Sequence, residues 1–163
     1  MNILCLDPSL RAFGWAVISN NDVVDGGCIV TKKVQGAKVS DSDTESLREI
    51  AQALKDILSK YPCQKVIFEN PIGSKSSRAN QSLSFVKGLV ISACVFYGVE
   101  FTPIKAKSVK KNLTDNKDAS KDEILEKVKQ NFKSFDKKFA HLPKFKLYAV
   151  SDAAAVLLGL EPN

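Results

Sequence analysis

The chain has 163 residues, 44% of them hydrophobic, so it can bury one domain-sized core without disulfides or structural metal, and a second full domain is disfavoured. Its 24 Lys and Arg exceed its 18 Asp and Glu, and the resulting net charge of +6 favours an anionic partner such as nucleic acid. Neither a metal-binding cysteine spacing, nor a signal-peptide pattern, nor an apolar run long enough to span a bilayer is recognisable, so we expect a cytoplasmic protein with reduced thiols and no membrane contact.

The first part of the chain predicts an antiparallel meander, then a helix and a buried strand. Short apolar runs at residues 2–6, 14–19 and 23–31 favour strands, and the Asn-Asn-Asp sequence between the second and third favours a hairpin turn. Segment 40–61 has apolar residues at helical spacing and predicts an amphipathic helix. The β-branched and aromatic run 63–70 predicts the strand that follows this helix.

The second part of the chain predicts mostly helices. Residues 81–97 predict a long helix that is nearly apolar from residue 89 to residue 97, and residues 99–104 predict the fifth strand. The basic segment that follows predicts a short helix, a polar loop and a second helix capped near Ser120. We expect residues 133–146 to be loosely ordered and residues 148–163 to form a last helix with one acid near its start.

Three carboxylates stand out because each lies in an apolar setting. Asp7 ends the first strand, Glu69 ends the fourth, and Asp152 opens the last helix. Taken singly, each has a structural explanation: a turn with Pro8, a loop cap, or an acid that favours the helix dipole. The ends of the first and fourth strands can be neighbours at one sheet edge, and a helix can bring in the third acid. Since unpaired buried carboxylates are costly, the three together predict a site for a hard divalent cation, Mg²⁺ or Mn²⁺.

Several motifs in one order resemble the RuvC family of Holliday-junction resolvases. "CLDPSLRAFGWAVI" is similar to the first family motif, an apolar strand ending in Asp-Pro-Gly/Ser before a Gly-aromatic-small-Val run. "VIFEN" resembles the second acidic strand, and "SLSFVKGLVISACVFYGVEFTPI" resembles the central helix and next strand. "VKKNLTDNKDASKDEILEKV" is similar to the basic segment and "VSDAAAV" to the C-terminal acidic helix. The ordered set covers most of the chain.

This resemblance implies a fold and an activity for a single nuclease domain at residues 1–163. The fold is α/β of the ribonuclease H-like type, a five-stranded mixed sheet with helices on both faces. The activity is that of a homodimeric, metal-dependent endonuclease that cuts two strands of a four-way DNA junction. Helix 81–97 carries more apolar residues than one core face requires, and the resemblance makes part of it the dimer seam.

The resemblance also implies roles for individual residues. Carried over position by position, Asp7, Glu69 and Asp152 match catalytic, metal-binding acids, while Lys110 and Lys121 fall near the scissile phosphate. In phosphodiester hydrolysis, two cations about 4 Å apart can activate the attacking water and stabilise the leaving 3′-oxygen. We expect Asp7 to bridge the cations and Lys121 to act catalytically by offsetting charge on the phosphate.

Two positions depart from the family pattern. The family commonly has a further acid or histidine one turn before its last aspartate, where this chain has Tyr148 and Ala149, neither an equivalent ligand. After Glu69, Ile72 stands where some members have an aromatic that wedges into the junction. A branched side chain can still wedge, although it cannot stack on a base.

Basic residues that surround these motifs predict contacts to DNA phosphates, and binding through them should depend on salt. Solvated surface lysines would give the same pattern, and an ordinary exposed loop would explain the polar run after Glu69. The expected DNA-binding residues are Lys75, Arg78, Lys107, Lys110, Lys111 and Lys117.

Two other functions remain open from the sequence. The acids indicate cleavage of a phosphodiester bond more firmly than they indicate which nucleic acid is cut. A related nuclease that acts on forks, flaps or RNA therefore fits the same residues. A catalytically weakened DNA-binding module is the second alternative, because a fourth acid is missing. A metal-dependent cleavage assay separates these functions.

Overall fold

A computed structural model describes residues 1–70 and 76–160 and contains one five-stranded sheet with the strand order β3-β2-β1-β4-β5. The strands are β1 (Asn2–Asp7), β2 (Ala12–Ser19), β3 (Asp22–Val30), β4 (Cys63–Asn70) and β5 (Glu100–Lys105). The first three strands are antiparallel, whereas β4 and β5 run parallel to β1 and to each other. The mixed sheet is therefore confirmed.

Helices cover both faces of the sheet. They are α1 (Val39–Lys60), α2 (Ser77–Tyr97), α3 (Ala106–Thr114), α4 (Lys121–Asn131), α5 (Phe135–Phe139) and α6 (Lys144–Leu158). Alternate residues of a strand point to opposite faces, and β1 follows this rule. Leu4 belongs to a core with Ile50 of α1, whereas Cys5 belongs to a second core with Val150 of α6. Asp7 therefore points to the α6 face, like Cys5.

The last third of the chain differs from its prediction. Residues 133–146 are not loosely ordered, because they include α5 and the start of α6. Since α6 begins at Lys144, Asp152 lies in the middle of the helix, and its explanation as a helix N-terminal acid is wrong. The buried side chain of Phe139 anchors this segment in the core.

Helix α4 begins where the sequence predicted, and its cap fixes the position of Lys121. Ser120 accepts a hydrogen bond from the Glu123 amide, and the Glu123 carboxylate accepts one from the Ser120 amide. This capping box fixes the first turn of the helix. Lys121 is therefore held at the first position of α4.

Helix α2 has two apolar faces. Val86, Val90 and Cys94 are buried, whereas Phe85 and Phe96 are 51% and 84% exposed. The helix is 21 residues long and apolar enough to cross a membrane by length and composition, so the expectation that no such run exists is wrong. Core helices of soluble proteins also meet this criterion, although only 17% of the apolar window is buried here.

Candidate active site

The sheet brings two of the three predicted acids to one edge. In the parallel pair β1 and β4, Leu6 lies beside Phe68, so Asp7 and Glu69 follow at equivalent places. Carboxyl ends of neighbouring parallel strands meet at the same sheet edge, where ligands commonly bind. One pocket, here called the acidic pocket, is lined by both acids together with Asp152, Lys110 and Lys121.

A close approach of α6 to the sheet brings in the third acid. Gly14 of β2 pairs with Asp7, and a Cβ atom added to Gly14 would overlap the main-chain carbonyl of Ala149. Any larger residue at position 14 would push the helix away. Because α6 lies directly on Gly14, Asp152 reaches the acidic pocket one turn after Ala149.

The three acids influence one another. Burial raises the pKa of Asp7 to about 8, and the nearby carboxylates of Glu69 and Asp152 add to this rise while Lys121 opposes it. Burial, and then the Asp152 charge, also raise the pKa of Glu69, against Lys110 and Lys121. The pKa of Asp152 is raised by burial against the same lysines. Negative charge on all three carboxylates of the acidic pocket is therefore unfavourable.

Two lysines partly offset this charge. Lys121 Nζ lies 3.0 Å from Asp152 Oδ2, and its ammonium group also acts on Asp7 and Glu69. Lys110 Nζ donates a hydrogen bond of 2.8 Å to the main-chain oxygen of Ala119, in the loop before α4. Both lysines line the acidic pocket. The structure thus brings Lys121 and Lys110 to the predicted acids.

The donor set suits a hard divalent cation, because carboxylate oxygens are the ligands that Mg²⁺ and Mn²⁺ prefer. Within residues 1–70 and 76–160, no three His, Cys, Asp or Glu side chains are arranged to hold one ion together. One oxygen of Asp152 is paired with Lys121 instead. Ala149 packs on Gly14 and supplies no further ligand.

The predicted DNA-binding residues fall into different environments. Lys107 and Lys111 are exposed on α3, the helix that carries Lys110, and Lys117 is exposed in the next loop. Arg78 lies at the start of α2, and its guanidinium is 2.6 Å from Asp43 of α1. Asp43 also binds Arg11 at 2.6 Å, so it holds two guanidinium groups.

Two predicted residues lie outside the part of the chain that the structure describes. These are Lys75, a predicted DNA contact, and Ile72, the predicted wedge.

Sequence reasoning missed the close contact of Gly14 with α6 and the position of Tyr148 beside Lys121. The Tyr148 hydroxyl donates a hydrogen bond of 2.5 Å to Asp122, and Lys121 Nζ lies 5.7 Å from the centre of its ring. Tyr148 precedes Asp152 by one helical turn, so the two side chains share a face of α6. This spacing could have indicated that Tyr148 lies near Asp152, but from the sequence Tyr148 was considered only as a residue at the place of a metal ligand.

Comparisons with known proteins agree on one family. The model of the family described as "Crossover junction endodeoxyribonuclease RuvC" matches residues 3–158. A protein of that name from Wolbachia pipientis wMel is 31% identical, over 97% of this chain and 92% of the relative. Its counterpart from Ehrlichia ruminantium (strain Gardel) is 27% identical, over 97% of this chain and 94% of the relative.

Solved structures show the same fold. Thermus thermophilus RuvC in complex with a Holliday junction substrate superposes with a TM-score of 0.78 at 19% identity, over 98% of this chain and 92% of the other. The yeast mitochondrial Holliday junction resolvase gives a TM-score of 0.69 at 12% identity, over 96% of this chain and 76% of the other. The predicted ribonuclease H-like fold is confirmed.

Proposed function

Since the chain belongs to the RuvC family of crossover junction endodeoxyribonucleases, it is an endonuclease of four-way DNA junctions, and we propose that Asp7, Glu69 and Asp152 are its catalytic, metal-binding residues. The observation that carries this proposal is the convergence of three carboxylates from β1, β4 and α6 in one pocket. Two lysines border the same pocket. We assign all of these parts to a single nuclease domain.

We assign two Mg²⁺ or Mn²⁺ ions, one that Asp7 would hold with Glu69 and one that Asp7 would hold with Asp152, so that no three carboxylates need surround a single ion. When bound, such cations supply an activated water and stabilise the leaving 3′-oxygen. Asp7 suits the shared position because both other acids act on its pKa. The rigid end of β1 fixes its main chain, which is paired with Gly14.

Lys121 and Lys110 are assigned to the reacting phosphate. Lys121 is paired with Asp152 in the described structure, so its ammonium already lies at the mouth of the acidic pocket. A phosphate placed there would share this positive charge, which lowers the cost of the charge that develops during hydrolysis. Lys110 is held by Ala119 and approaches from α3.

The DNA-binding surface extends from the acidic pocket along α3 and the loop that follows. Lys107, Lys111 and Lys117 are exposed there, and none forms an ion pair within the described ranges. Phosphate contacts of this kind position DNA without reading its sequence. Arg78 would reach DNA only with one side of its guanidinium, because Asp43 occupies the other.

The exposed face of α2 is assigned to a second copy of the chain. Small residues alternate there with exposed aromatics, since Ser84, Gly88 and Ser92 lie on the same side as Phe85 and Phe96. Small residues let two helices approach closely, and the aromatics would be removed from water. Polar residues within the stripe suit a protein partner better than lipid, so we propose a homodimer without membrane contact.

We place this activity inside the cell, in the cytoplasm, because the substrate of a junction endonuclease is cellular DNA. The pI near 9.1 and the net charge of +6 suit such a polyanionic partner.

A catalytically weakened DNA-binding module is the second candidate. The observation in its favour is Ala149, which stands one turn before Asp152 and packs on Gly14 without an acidic side chain. Such a module would bind junctions through the same lysines and cut nothing.

A cleavage panel separates the candidates. The protein is incubated with a mobile four-way junction, a fork, a flap, a duplex and an RNA–DNA hybrid, each with Mg²⁺, Mn²⁺ or a chelator. Symmetric, cation-dependent cuts in the junction support the proposal. Preferred cleavage of forks, flaps or RNA would assign a different substrate, and binding without cleavage would assign the weakened module.

A further inference from the structure

A second groove lies beside the acidic pocket, on the side of β3. It is formed where α5 and the start of α6 pass over the strand, and its basic side chains are Lys138, His141 and Lys146. Its floor includes Gly26 and Cys28. We call it the β3 groove. None of its three basic residues has a place in the proposed catalytic centre.

The sheet register fixes where this groove lies. Asp7 pairs with Gly14, and Gly14 pairs with Cys28, so the three residues form one row across the sheet. Gly14 faces α6, and paired residues share a face, so Cys28 faces α6 as well. Two strand spacings of ~4.8 Å separate the floor of the groove from Asp7 by about 10 Å.

Helix α6 runs along the same row. Lys146 borders the groove, Ala149 rests on Gly14, and Asp152 lies in the acidic pocket, so one helix connects the two places. Burial raises the pKa of the Cys28 thiol, and Lys146 lowers it while Asp7 raises it. The Cys28 thiol is therefore close enough to Lys146 and to Asp7 to be affected by the charge of each.

The basic side chains of the groove outnumber the acids near it, which are Asp25 at its edge and Asp22, on which the charge of Lys138 acts. Lys138 and Lys146 form no ion pair within residues 1–70 and 76–160. The acid at its edge is Asp25, whose carboxylate accepts hydrogen bonds from Tyr61, Lys60 and the amide of Gly26. Asp25 is thus already satisfied.

We propose that the β3 groove binds the phosphodiester backbone of the cleaved DNA strand, a few nucleotides from the scissile bond. Lys138 and Lys146 would contact phosphates on this side of the acidic pocket, and Lys110 and Lys121 would contact the strand on the other. The strand would then be held on both sides of the bond that breaks. This inference rests on the proposed catalytic role of the acidic pocket.

The first experiment compares two double variants of equal charge. Lys138→Ala/Lys146→Ala removes the groove lysines, and Lys55→Ala/Lys127→Ala removes two exposed lysines from α1 and α4 as the control. Junction binding is measured in Ca²⁺ across a salt titration. We expect the groove variant to bind about 10-fold more weakly and its log–log salt slope to fall by about two, because two phosphate contacts are lost. The control variant should retain most of the wild-type affinity and most of the wild-type salt slope.

The second experiment locates the contact on the DNA. Single methylphosphonates, which carry no charge, replace each phosphate within five nucleotides on either side of the cleavage site. For the wild type, neutral phosphates on one side should weaken binding, and the groove variant should be insensitive to those same substitutions. A groove variant with wild-type affinity, or one that responds to every methylphosphonate as the wild type does, would overturn the proposal. Equal losses from the control pair would also overturn it.

Parallel measurements keep the two proposals apart. Thermal melts show whether both double variants are folded, and cleavage by Asp7→Asn in Mg²⁺ tests the catalytic proposal separately. A wild type that shows the expected methylphosphonate pattern, together with an Asp7→Asn variant that still cuts junctions, would overturn the catalytic proposal and retain the groove. If the wild type cuts junctions but neither binding nor cleavage depends on Lys138 and Lys146, the groove proposal fails and the catalytic proposal is retained.

Discussion

Lys121 and Asp152 form an ion pair that joins the start of α4 to the middle of α6, with Nζ 3.0 Å from Oδ2. The lysine side chain is 61% exposed, whereas that of the aspartate is 19% exposed. Exposed ion pairs stabilise folded proteins by only about 0–1 kcal/mol. The pair is therefore better explained by the charge it places at the acidic pocket than by stability.

Replacing Lys121 should separate catalysis from folding. We expect Lys121→Ala to lower the single-turnover cleavage rate about 100-fold, as loss of one group that stabilises developing charge does in other enzymes. Its melting temperature should change little, because the side chain is largely exposed. Lys127→Ala, on the same helix, is the control and should cut at the wild-type rate. Cleavage by Lys121→Ala at that rate would rule out its catalytic role.

Tyr148 should act on cleavage through Lys121. Its ring lies beside Lys121 Nζ and its hydroxyl is held by Asp122, so it limits where the ammonium can move. We expect Tyr148→Leu to lower the single-turnover rate with little effect on junction affinity in Ca²⁺, and Tyr148→Phe, which retains the ring, to recover part of the loss.

A double-mutant cycle decides whether that effect is positional. If Tyr148 only positions Lys121, Tyr148→Leu should cost nothing further in a Lys121→Ala background. Equal losses in both backgrounds would instead mean that the ring supports the fold or contacts DNA directly.

The exposed face of α2 predicts a solution dimer. Phe96 is 84% exposed, and a charge at this place would be buried without a partner in the proposed seam. We expect sedimentation to show a wild-type dimer at micromolar concentration and a Phe96→Glu monomer. Phe145→Glu, a matched change at a residue 53% exposed on α6, should remain dimeric. A monomeric wild type would contradict the seam.

Much of the fold follows from local pattern. The apolar run of β4 was predicted at its full length, and Ser120 was recognised as the cap of α4, because these signals depend on neighbouring residues. The acids at the ends of β1 and β4 could be brought together because carboxyl ends of parallel neighbours meet. These inferences needed no knowledge of distant contacts.

Other features depend on contacts between distant parts of the chain. The start of α6 at Lys144 was missed because Lys-rich residues around Pro143 show little apolar contrast, and packing of the neighbouring Phe139 into the core orders this region. The pairing of Arg78 with Asp43 joins residues 35 positions apart, so sequence alone predicted only a free DNA contact. The tight fit of Gly14 against Ala149 is likewise a property of packed elements.

Asp7 supplies the sharpest test, because its folded-state pKa of about 8 lies above the ordinary value of 3.8. Between these values the folded protein binds more protons than the unfolded chain, so without cations the free energy of unfolding should fall as pH rises from about 4 to about 8. Asp7→Asn removes the part of this dependence that Asp7 contributes, and the raised pKa values of Glu69 and Asp152 leave the rest. In a chelator, the variant should match the wild type near pH 4 and melt at a higher temperature at pH 8.5. A difference of about 1 kcal/mol corresponds to ~2–4 °C in a domain of this size.

Divalent cations should favour the wild type over Asp7→Asn, both in melting temperature and in cleavage. Mg²⁺ should raise the wild-type melting temperature at pH 8 more than that of Asp7→Asn, because the carboxylate ligand is lost in the variant. The variant should bind junctions in Ca²⁺ and cut none in Mg²⁺. Asp56→Asn, an exposed change on α1, is the control and should follow the wild type in both melts and cleavage. An Asp7→Asn protein that still cuts junctions, or that keeps the wild-type pH dependence of melting, would exclude Asp7 as the shared ligand. If Asp7 served only the turn with Pro8, Asn would replace it with little loss, and both measurements would show that.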